Sequence, residues 1–204
     1  MPVRILLVSG STRSGSTNAA ALKTARDVAP DHVIAVLYDG LADLPAFNPD
    51  DDERPDAAVA ALRRQIAESD AVLFCTPEYA GSLPGSLKNL LDWTVGSGEL
   101  YGKPVAWLNV AATGRGEGAR AALETVLGYV GAAVVERACA RLPVGRDVVG
   151  SDGLVADPTI RAGIAEVLQA MLRHLGGVAD RTPGGRVGPG SQTGDAGASP
   201  DHPA

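Results

Sequence analysis

The residues best suited to chemistry lie near the start of the chain, from Ser9 to Asn18, in the stretch SGSTRSGSTN. This stretch follows an apolar run, Val3 to Val8, and precedes a predicted helix. A turn of small residues between a strand and a helix lets backbone N–H groups converge on a phosphate, with help from hydroxyls and the helix N-terminus. Arg13 is the one full charge in the turn, and its planar guanidinium suits a phosphate dianion. The stretch predicts a phosphate-binding turn, although an ordinary polar turn has the same composition.

The spacing within this turn argues against two common nucleotide motifs. Gly10 and Gly15 are spaced as in a Walker A loop, but Ser16 stands where that loop needs a lysine to reach the β- and γ-phosphates. Thr12 occupies the second glycine position of the dinucleotide pattern G-x-G-x-x-G, where glycine permits the close approach of a pyrophosphate. The remaining interpretation is a hydroxyl-lined pocket for one monophosphate.

A second stretch of interest, Thr76 to Trp93, reads TPEYAGSLPGSLKNLLDW and follows a strongly apolar segment. Pro77 stiffens the chain as it leaves the predicted strand, so residues 78–81 can present backbone N–H and C=O groups. Such groups match the hydrogen-bonding edge of a flavin's pyrimidine ring. Pro84 and Gly85 then open the next predicted helix, whose dipole points near the same place.

Hydrophobic patterning predicts the elements that position these two turns. Apolar runs of strand length and helical periodicity alternate along the chain. The alternation predicts an α/β fold, a flavodoxin-like doubly wound five-stranded parallel sheet in the order 2-1-3-4-5 with helices on both faces. In that order the ends of strands one and three are neighbours, so both turns border one crevice. The predicted strands are Val3–Val8, His32–Leu37, Asp70–Thr76, Val105–Val110 and Ala132–Ala138; the predicted helices are Ala19–Val28, Ala57–Glu68, Gly85–Thr94, Ala119–Val130 and Thr159–Leu175.

Length, charge and cysteine content narrow the class of protein. The 204 residues predict one domain, 1–175, followed by a disordered tail, 176–204, that is rich in Gly, Pro, Ser and Asp. A net charge of −6 argues against nucleic-acid and anionic-membrane partners. The two cysteines, Cys75 and Cys139, cannot make a disulfide framework or a zinc site alone, and no metal site is predicted. With no signal-peptide pattern and no spanning apolar run, we expect a cytoplasmic protein.

The two motifs together resemble the NAD(P)H-dependent FMN reductase family, flavodoxin-like enzymes that include quinone and chromate reductases. The first motif is G-S-x-R-x-x-S-x-N, and the second is P-E-Y-x-x-S-x-P-G-x-L-K-N-x-x-D-W. The match keeps its order and spacing from Val3 to about Cys139 and continues more loosely to Leu175.

The resemblance implies a set of FMN-binding residues. Two positions depart from the family pattern, because Ala80 and Gly81 replace residues that are commonly Asn and an aromatic. Side-chain contacts from these positions are lost, whereas backbone contacts can survive. The residues implied around the phosphate are Ser11, Arg13, Ser16, Thr17 and Asn18; those bordering the isoalloxazine ring are Pro77, Glu78, Tyr79, Ala80, Gly81 and Ser82, with Thr113 and Gly114 at its other edge.

The resemblance also implies the reaction and the assembly. NADPH or NADH gives a hydride to N5 of FMN, which passes electrons to a quinone, a flavin or another small-molecule acceptor. No side chain is assigned a catalytic role, because the flavin carries the chemistry. A homodimer or homotetramer is expected, with the helix Gly85–Thr94 and the acidic loop Asp43–Arg54 at the interface. Two alternatives stay open at this point: a flavodoxin-type single-electron carrier and a flavin-free relative with the same fold.

Overall fold

A parallel sheet forms the centre of the fold in a computed structural model that describes residues 2–179. Its strand order is β2-β1-β3-β4-β5, with β6 also paired to β4, and every pairing is parallel. This confirms the predicted flavodoxin-like order. The strands are β1 (Val3–Ser9), β2 (Val33–Tyr38), β3 (Ala71–Cys75), β4 (Pro104–Asn109), β5 (Ala133–Val134) and β6 (Ala140–Arg141).

Helices cover both faces of the sheet, which is why its strands are apolar throughout. Successive residues of β1 enter opposite layers, since side chains alternate along a strand. Ile5 and Leu7 pack with helices α1 and α5, whereas Leu6 and Val8 pack with α2, α3 and α4. In residues 2–179 the helices are α1 (Thr17–Asp27), α2 (Ala57–Ala67), α3 (Gly85–Asp92), α4 (Glu117–Tyr129) and α5 (Pro158–Ala179).

The fifth strand differs from the prediction. The chain was expected to stay extended over Ala132–Ala138, but β5 ends at Val134, a 3-10 turn occupies Glu136–Ala138, and β6 resumes the pairing with β4. Glu136 and Arg137 explain the break. In a continuous strand these adjacent charges would point to opposite faces, and one would be buried under each helix layer. The turn leaves both exposed and buries Ala138 instead.

The last helix is longer than predicted. It continues past Leu175 through Gly176 and Gly177 to Ala179, so the first residues of the predicted tail are helical. The remainder of that predicted tail, 180–204, lies outside the described residues. Within residues 2–179, no helix combines the length and the apolar character that crossing a membrane requires.

Helix α3 and the residue that follows it, Trp93, hold the acidic loop (Asp43–Arg54) in place. They form the second half of the second sequence motif. The Asn89 amide accepts a hydrogen bond from the Phe47 N–H at 2.8 Å and donates one to the Pro45 carbonyl at 2.8 Å. Trp93 donates its indole N–H to the same carbonyl at 2.9 Å. Its ring also meets Phe47 edge to face, with centroids 4.9 Å apart. The residues Asn89 and Trp93 therefore serve loop packing rather than chemistry.

Replacing Asn89 with alanine is expected to lower the free energy of unfolding by about 1–3 kcal/mol, because the Phe47 N–H loses its partner and the Pro45 carbonyl keeps only the Trp93 indole. Urea denaturation measures the change. Lys88→Ala is the matched control, since its salt bridge to Asp92 is exposed and such pairs contribute little. Equal effects of the two substitutions would contradict this role for Asn89.

Candidate functional site

Three loops meet at the carboxyl edge of the sheet. They are loop A (residues 10–16, after β1), loop B (76–84, after β3) and loop C (110–116, after β4). Because β1, β3 and β4 are consecutive neighbours in the sheet, the loops lie side by side. Open doubly wound sheets bind ligands in the crevice at this edge, where the strand order reverses. The geometry thus brings the two sequence motifs together as expected.

Loop A is shaped mainly by its own hydroxyls. The Ser16 hydroxyl caps α1 by accepting the Asn18 N–H at 3.2 Å, and the Ser11 hydroxyl accepts the Arg13 N–H at 3.3 Å. Arg13 is exposed, and its guanidinium has no hydrogen bond or ion pair among residues 2–179. Within the described part of the chain, the turn therefore presents an unpaired cation beside the N-terminus of α1, while Thr17 is half-buried on the first turn of that helix.

Asn18 is buried and links loop A to β3. Its side-chain carbonyl accepts the Cys75 thiol hydrogen at 3.3 Å, and its amide nitrogen lies 3.4 Å from the Ser16 hydroxyl. Burial raises the pKa of the Cys75 thiol well above its ordinary range, so the thiol stays protonated and can donate this bond. The structure thus gives Asn18 an internal hydrogen-bonding role that the motif alone did not indicate.

Loops A and B touch at Gly10. Its N–H donates to the Cys75 carbonyl at 2.8 Å, which continues the ladder between β1 and β3 by one residue. A Cβ at Gly10 would lie 2.7 Å from the Thr76 Cβ and 2.9 Å from Leu87 Cδ2, closer than packed atoms allow. Glycine is required here because the two chains approach so closely.

Loop B carries a tight reverse turn at its tip. Tyr79 and Ser82 exchange both backbone hydrogen bonds, at 3.0 and 3.1 Å. Ala80 and Gly81 between them have φ angles of 50° and 75°, as in a type I′ turn. The turn thus uses the backbone of Tyr79 and Ser82 internally, and in the described structure the N–H groups of Ala80 and Gly81 have no protein partner. Both residues are exposed, so their N–H groups are available to a ligand.

Restoring the residue type that a type I′ turn favours should strengthen loop B. Ala80→Asn is expected to raise the free energy of unfolding by about 0.5 kcal/mol, because Asn tolerates positive φ better than Ala and Asn-Gly is the preferred pair. Ala80→Val is expected to change it in the opposite direction, since a β-branched residue is strained at this φ. Thermal unfolding of both variants tests the assignment, and a stabilising valine would contradict it.

Loop C is held from below by Asn109, the buried last residue of β4. Its side-chain carbonyl accepts the Ala111 N–H at 3.0 Å, and its amide lies 3.4 Å from the Gly116 carbonyl. Gly116, at φ 83°, approaches the Asn109 side chain too closely for any Cβ. Asn109 therefore fixes both ends of the loop and leaves Thr113 and Gly114 exposed at its tip.

The sequence motifs named the exposed residues of the crevice and two buried ones, Ser16 and Asn18, but not the residues that support the loops from beneath. Pro77 is half-buried at the base of loop B, and residues 78–82 are exposed. The supporting residues Gly10, Thr76 and Asn109 received no role. Only Asn109 gave a signal, since a polar residue ending an apolar strand is a common loop anchor.

The fold and this crevice define a class: a flavodoxin-like protein with an open crevice at the reversal of its strand order. The family model described as NADPH-dependent FMN reductase matches residues 3–145. The chain belongs to the NADPH-dependent FMN reductase family, an oxidoreductase class that uses FMN with NAD(P)H as the electron donor. The predicted family, enzyme class and cofactors are thus confirmed.

Individual proteins of similar sequence and structure agree with this membership. An NAD(P)H-dependent FMN reductase of Pseudomonas aeruginosa is 34% identical over 174 residues, which cover 83% of this chain and 93% of that protein. A quinone reductase of Escherichia coli is 36% identical over 107 residues, covering 50% of this chain and 57% of that protein. The solved structure of FerB, a flavoenzyme NAD(P)H:(acceptor) oxidoreductase from Paracoccus denitrificans, superposes with a TM-score of 0.68 at 27% identity, covering 84% of this chain and 98% of FerB.

Proposed function

We propose that this protein binds FMN across loops A, B and C and reduces a small-molecule acceptor with electrons from NAD(P)H. The phosphate is assigned to loop A and the ring to loops B and C. One observation carries the assignment: the Arg13 cation and the N–H groups of Ala80 and Gly81, all without a partner among residues 2–179, lie on neighbouring loops that meet at Gly10. A phosphate dianion binds a cationic donor such as Arg13, and the carbonyl oxygens of a flavin ring accept hydrogen bonds from N–H groups.

The residues present fit the phosphate of FMN. Arg13 supplies charge-assisted donors, and the hydroxyls of Ser11, Ser16 and Thr17 supply neutral ones. The first N–H groups of α1 and the positive end of its dipole add to the attraction for an anion. The buried amide of Asn18 contributes indirectly in this scheme, by holding loop A against β3.

The residues of loops B and C fit the flavin ring and leave one of its faces accessible. The N–H groups of Ala80 and Gly81 can donate to the carbonyl oxygens of the pyrimidine edge, and Pro77 gives this edge a stiff base. When bound, FMN accepts a hydride from NAD(P)H and passes electrons on to the acceptor. The tips of loops B and C carry small residues, Ala80, Gly81, Thr113 and Gly114, so one face of the ring stays open to both substrates.

The acceptor we propose is a quinone or a flavin. Support comes from the activities of the relatives in Pseudomonas aeruginosa and Escherichia coli and from the open crevice. A planar ring system can occupy the same open face as the nicotinamide, whereas an aromatic lid would exclude it. Tyr79, 52% exposed, is the aromatic residue of loop B and lies beside this face rather than across it in the proposal.

Steady-state turnover tests the proposed function directly. Purified protein is assayed with NADPH and NADH against a quinone, FMN and ferricyanide, with and without added FMN. Oxidation of either nucleotide that needs both FMN and an acceptor is the expected result. Absence of nucleotide oxidation, with FMN bound and reducible by a chemical reductant, would contradict it and indicate a single-electron carrier. Absence of any FMN binding would indicate a flavin-free relative.

We further propose that the chain works as a homodimer or homotetramer in the cytoplasm. The surface assigned to the interface joins α3 to the loop of residues 43–54, which Asn89 and Trp93 fix together. Val95, immediately beyond α3, is 60% exposed and offers an apolar contact beside this surface. Sedimentation equilibrium of the native protein and of Val95→Glu measures the assembly; a native monomer would contradict the proposal.

A further inference from the structure

Glu78 makes a contact across the crevice that spans 40 residues of sequence. One oxygen of its carboxylate accepts the backbone N–H of Gly118 at 2.7 Å and that of Ala119 at 3.1 Å. Both groups belong to the first turn of α4, where helices leave N–H groups without intrahelical partners. The residue at the cap position, Gly116, has no side chain to satisfy them. Glu78 therefore caps α4 from loop B.

A second contact fixes the same two segments. A Cβ at Gly118 would lie 2.8 Å from the Gly81 carbonyl carbon and 3.0 Å from the Glu78 carboxylate. The tip of loop B thus rests directly on the backbone of α4, in space that only a glycine at position 118 leaves open. Loop B is consequently held at two points, by the carboxylate of Glu78 before the turn and by Gly81 within it.

We propose that Glu78 is a positioning residue for the flavin ring. Its carboxylate fixes the turn Tyr79–Ser82 against α4, so that the N–H groups of Ala80 and Gly81 keep one orientation toward the crevice. This inference rests on the proposed function, because it assigns those N–H groups to the ring. The contact with α4 also explains how a carboxylate can lie beside a site for an anionic cofactor. The positive end of the α4 dipole stabilises the negative charge of Glu78.

In this proposal Glu78 serves the ring of FMN and not its phosphate. Glu78 and α4 act on loop B and should change affinity for the ring, whereas Arg13 on loop A should change affinity for the phosphate. Riboflavin, which has the ring without the phosphate, separates the two. A residue that matters only for folding would alter stability without altering either affinity in the folded protein.

The test compares dissociation constants for FMN and riboflavin by flavin fluorescence quenching, well below each variant's unfolding temperature. Glu78→Ala should weaken both by the same factor, about tenfold, which corresponds to the loss of charge-assisted hydrogen bonds. Glu78→Gln keeps an acceptor for the α4 N–H groups and should recover most of this loss. Gly118→Ala keeps the Glu78 carboxylate but adds a methyl group that crowds both the Gly81 carbonyl and that carboxylate, so it should displace the turn and act in the same direction as Glu78→Ala. Glu166→Ala, at an exposed carboxylate on α5 without a hydrogen bond in the described structure, is the matched control.

Unchanged affinities for both flavins in folded Glu78→Ala would overturn the proposal, as would a loss confined to FMN. A Glu78→Gln variant as weak as Glu78→Ala would also overturn it, since the hydrogen bonds would then not be the cause. Failure of the wild-type protein to bind FMN or to oxidise NAD(P)H is a separate result, because it contradicts the proposed function before any variant is compared.

Discussion

Replacing Arg13 with alanine is expected to weaken FMN binding about 10- to 100-fold and to leave the free energy of unfolding unchanged. Hydrogen bonds from a charged donor contribute about 1.5–3 kcal/mol each, and a phosphate dianion is the group that Arg13 is placed to meet. Stability should not change, because the exposed guanidinium has no partner within residues 2–179. Fluorescence titration with FMN and urea denaturation of the same samples measure the two quantities.

Two further variants and a second ligand show whether Arg13 acts on the phosphate of FMN specifically. Arg13→Lys keeps the charge but loses the planar fork, so an intermediate affinity is expected. Arg26→Ala removes an exposed arginine from the last turn of α1, far along the helix from loop A, and should change nothing. Riboflavin affinity should be the same in Arg13→Ala as in the wild type. Unaltered FMN affinity in Arg13→Ala would remove loop A from the phosphate site.

Gly10→Ala is expected to lower the free energy of unfolding by about 1–3 kcal/mol. The added methyl group would meet the Thr76 side chain and Leu87 where no space exists, and Gly10 itself is buried between β1 and β3. Because loops A and B join at this point, FMN and riboflavin affinities should both fall. Denaturant unfolding gives the stability change, and fluorescence titration gives the affinities.

The control for this substitution is Gly85→Ala. Nothing lies within 4 Å of a Cβ at that position, and the residue begins α3, where alanine is the better helix former. We expect Gly85→Ala to be neutral or slightly stabilising. If Gly10→Ala were equally harmless, the close approach of loops A and B at Thr76 would be wrong, and with it the joint site that this approach creates.

Much of the fold follows from patterns within short segments. The apolar runs of β1 and β3 are continuous because both faces of a parallel strand are buried, and such runs are recognisable without any partner. The strand order follows from their alternation with helices and from the placement of both ligand motifs at strand ends. The predicted extent of the fifth strand was wrong. The cost of burying Glu136 and Arg137 depends on the helix layers above and below them, and the local sequence pattern does not contain those layers.

The sequence by itself determined the class of the protein, the position of both turn motifs and the exposed residues of the crevice, including Arg13. These are properties of residue type and spacing, so they can be recognised before any contact is known. Only the tertiary structure decided how the crevice is held together: Gly10 against Thr76, Asn18 on Cys75, and Glu78 on the first turn of α4. Each of these contacts joins residues far apart in the chain, and each depends on a distance that no local pattern encodes.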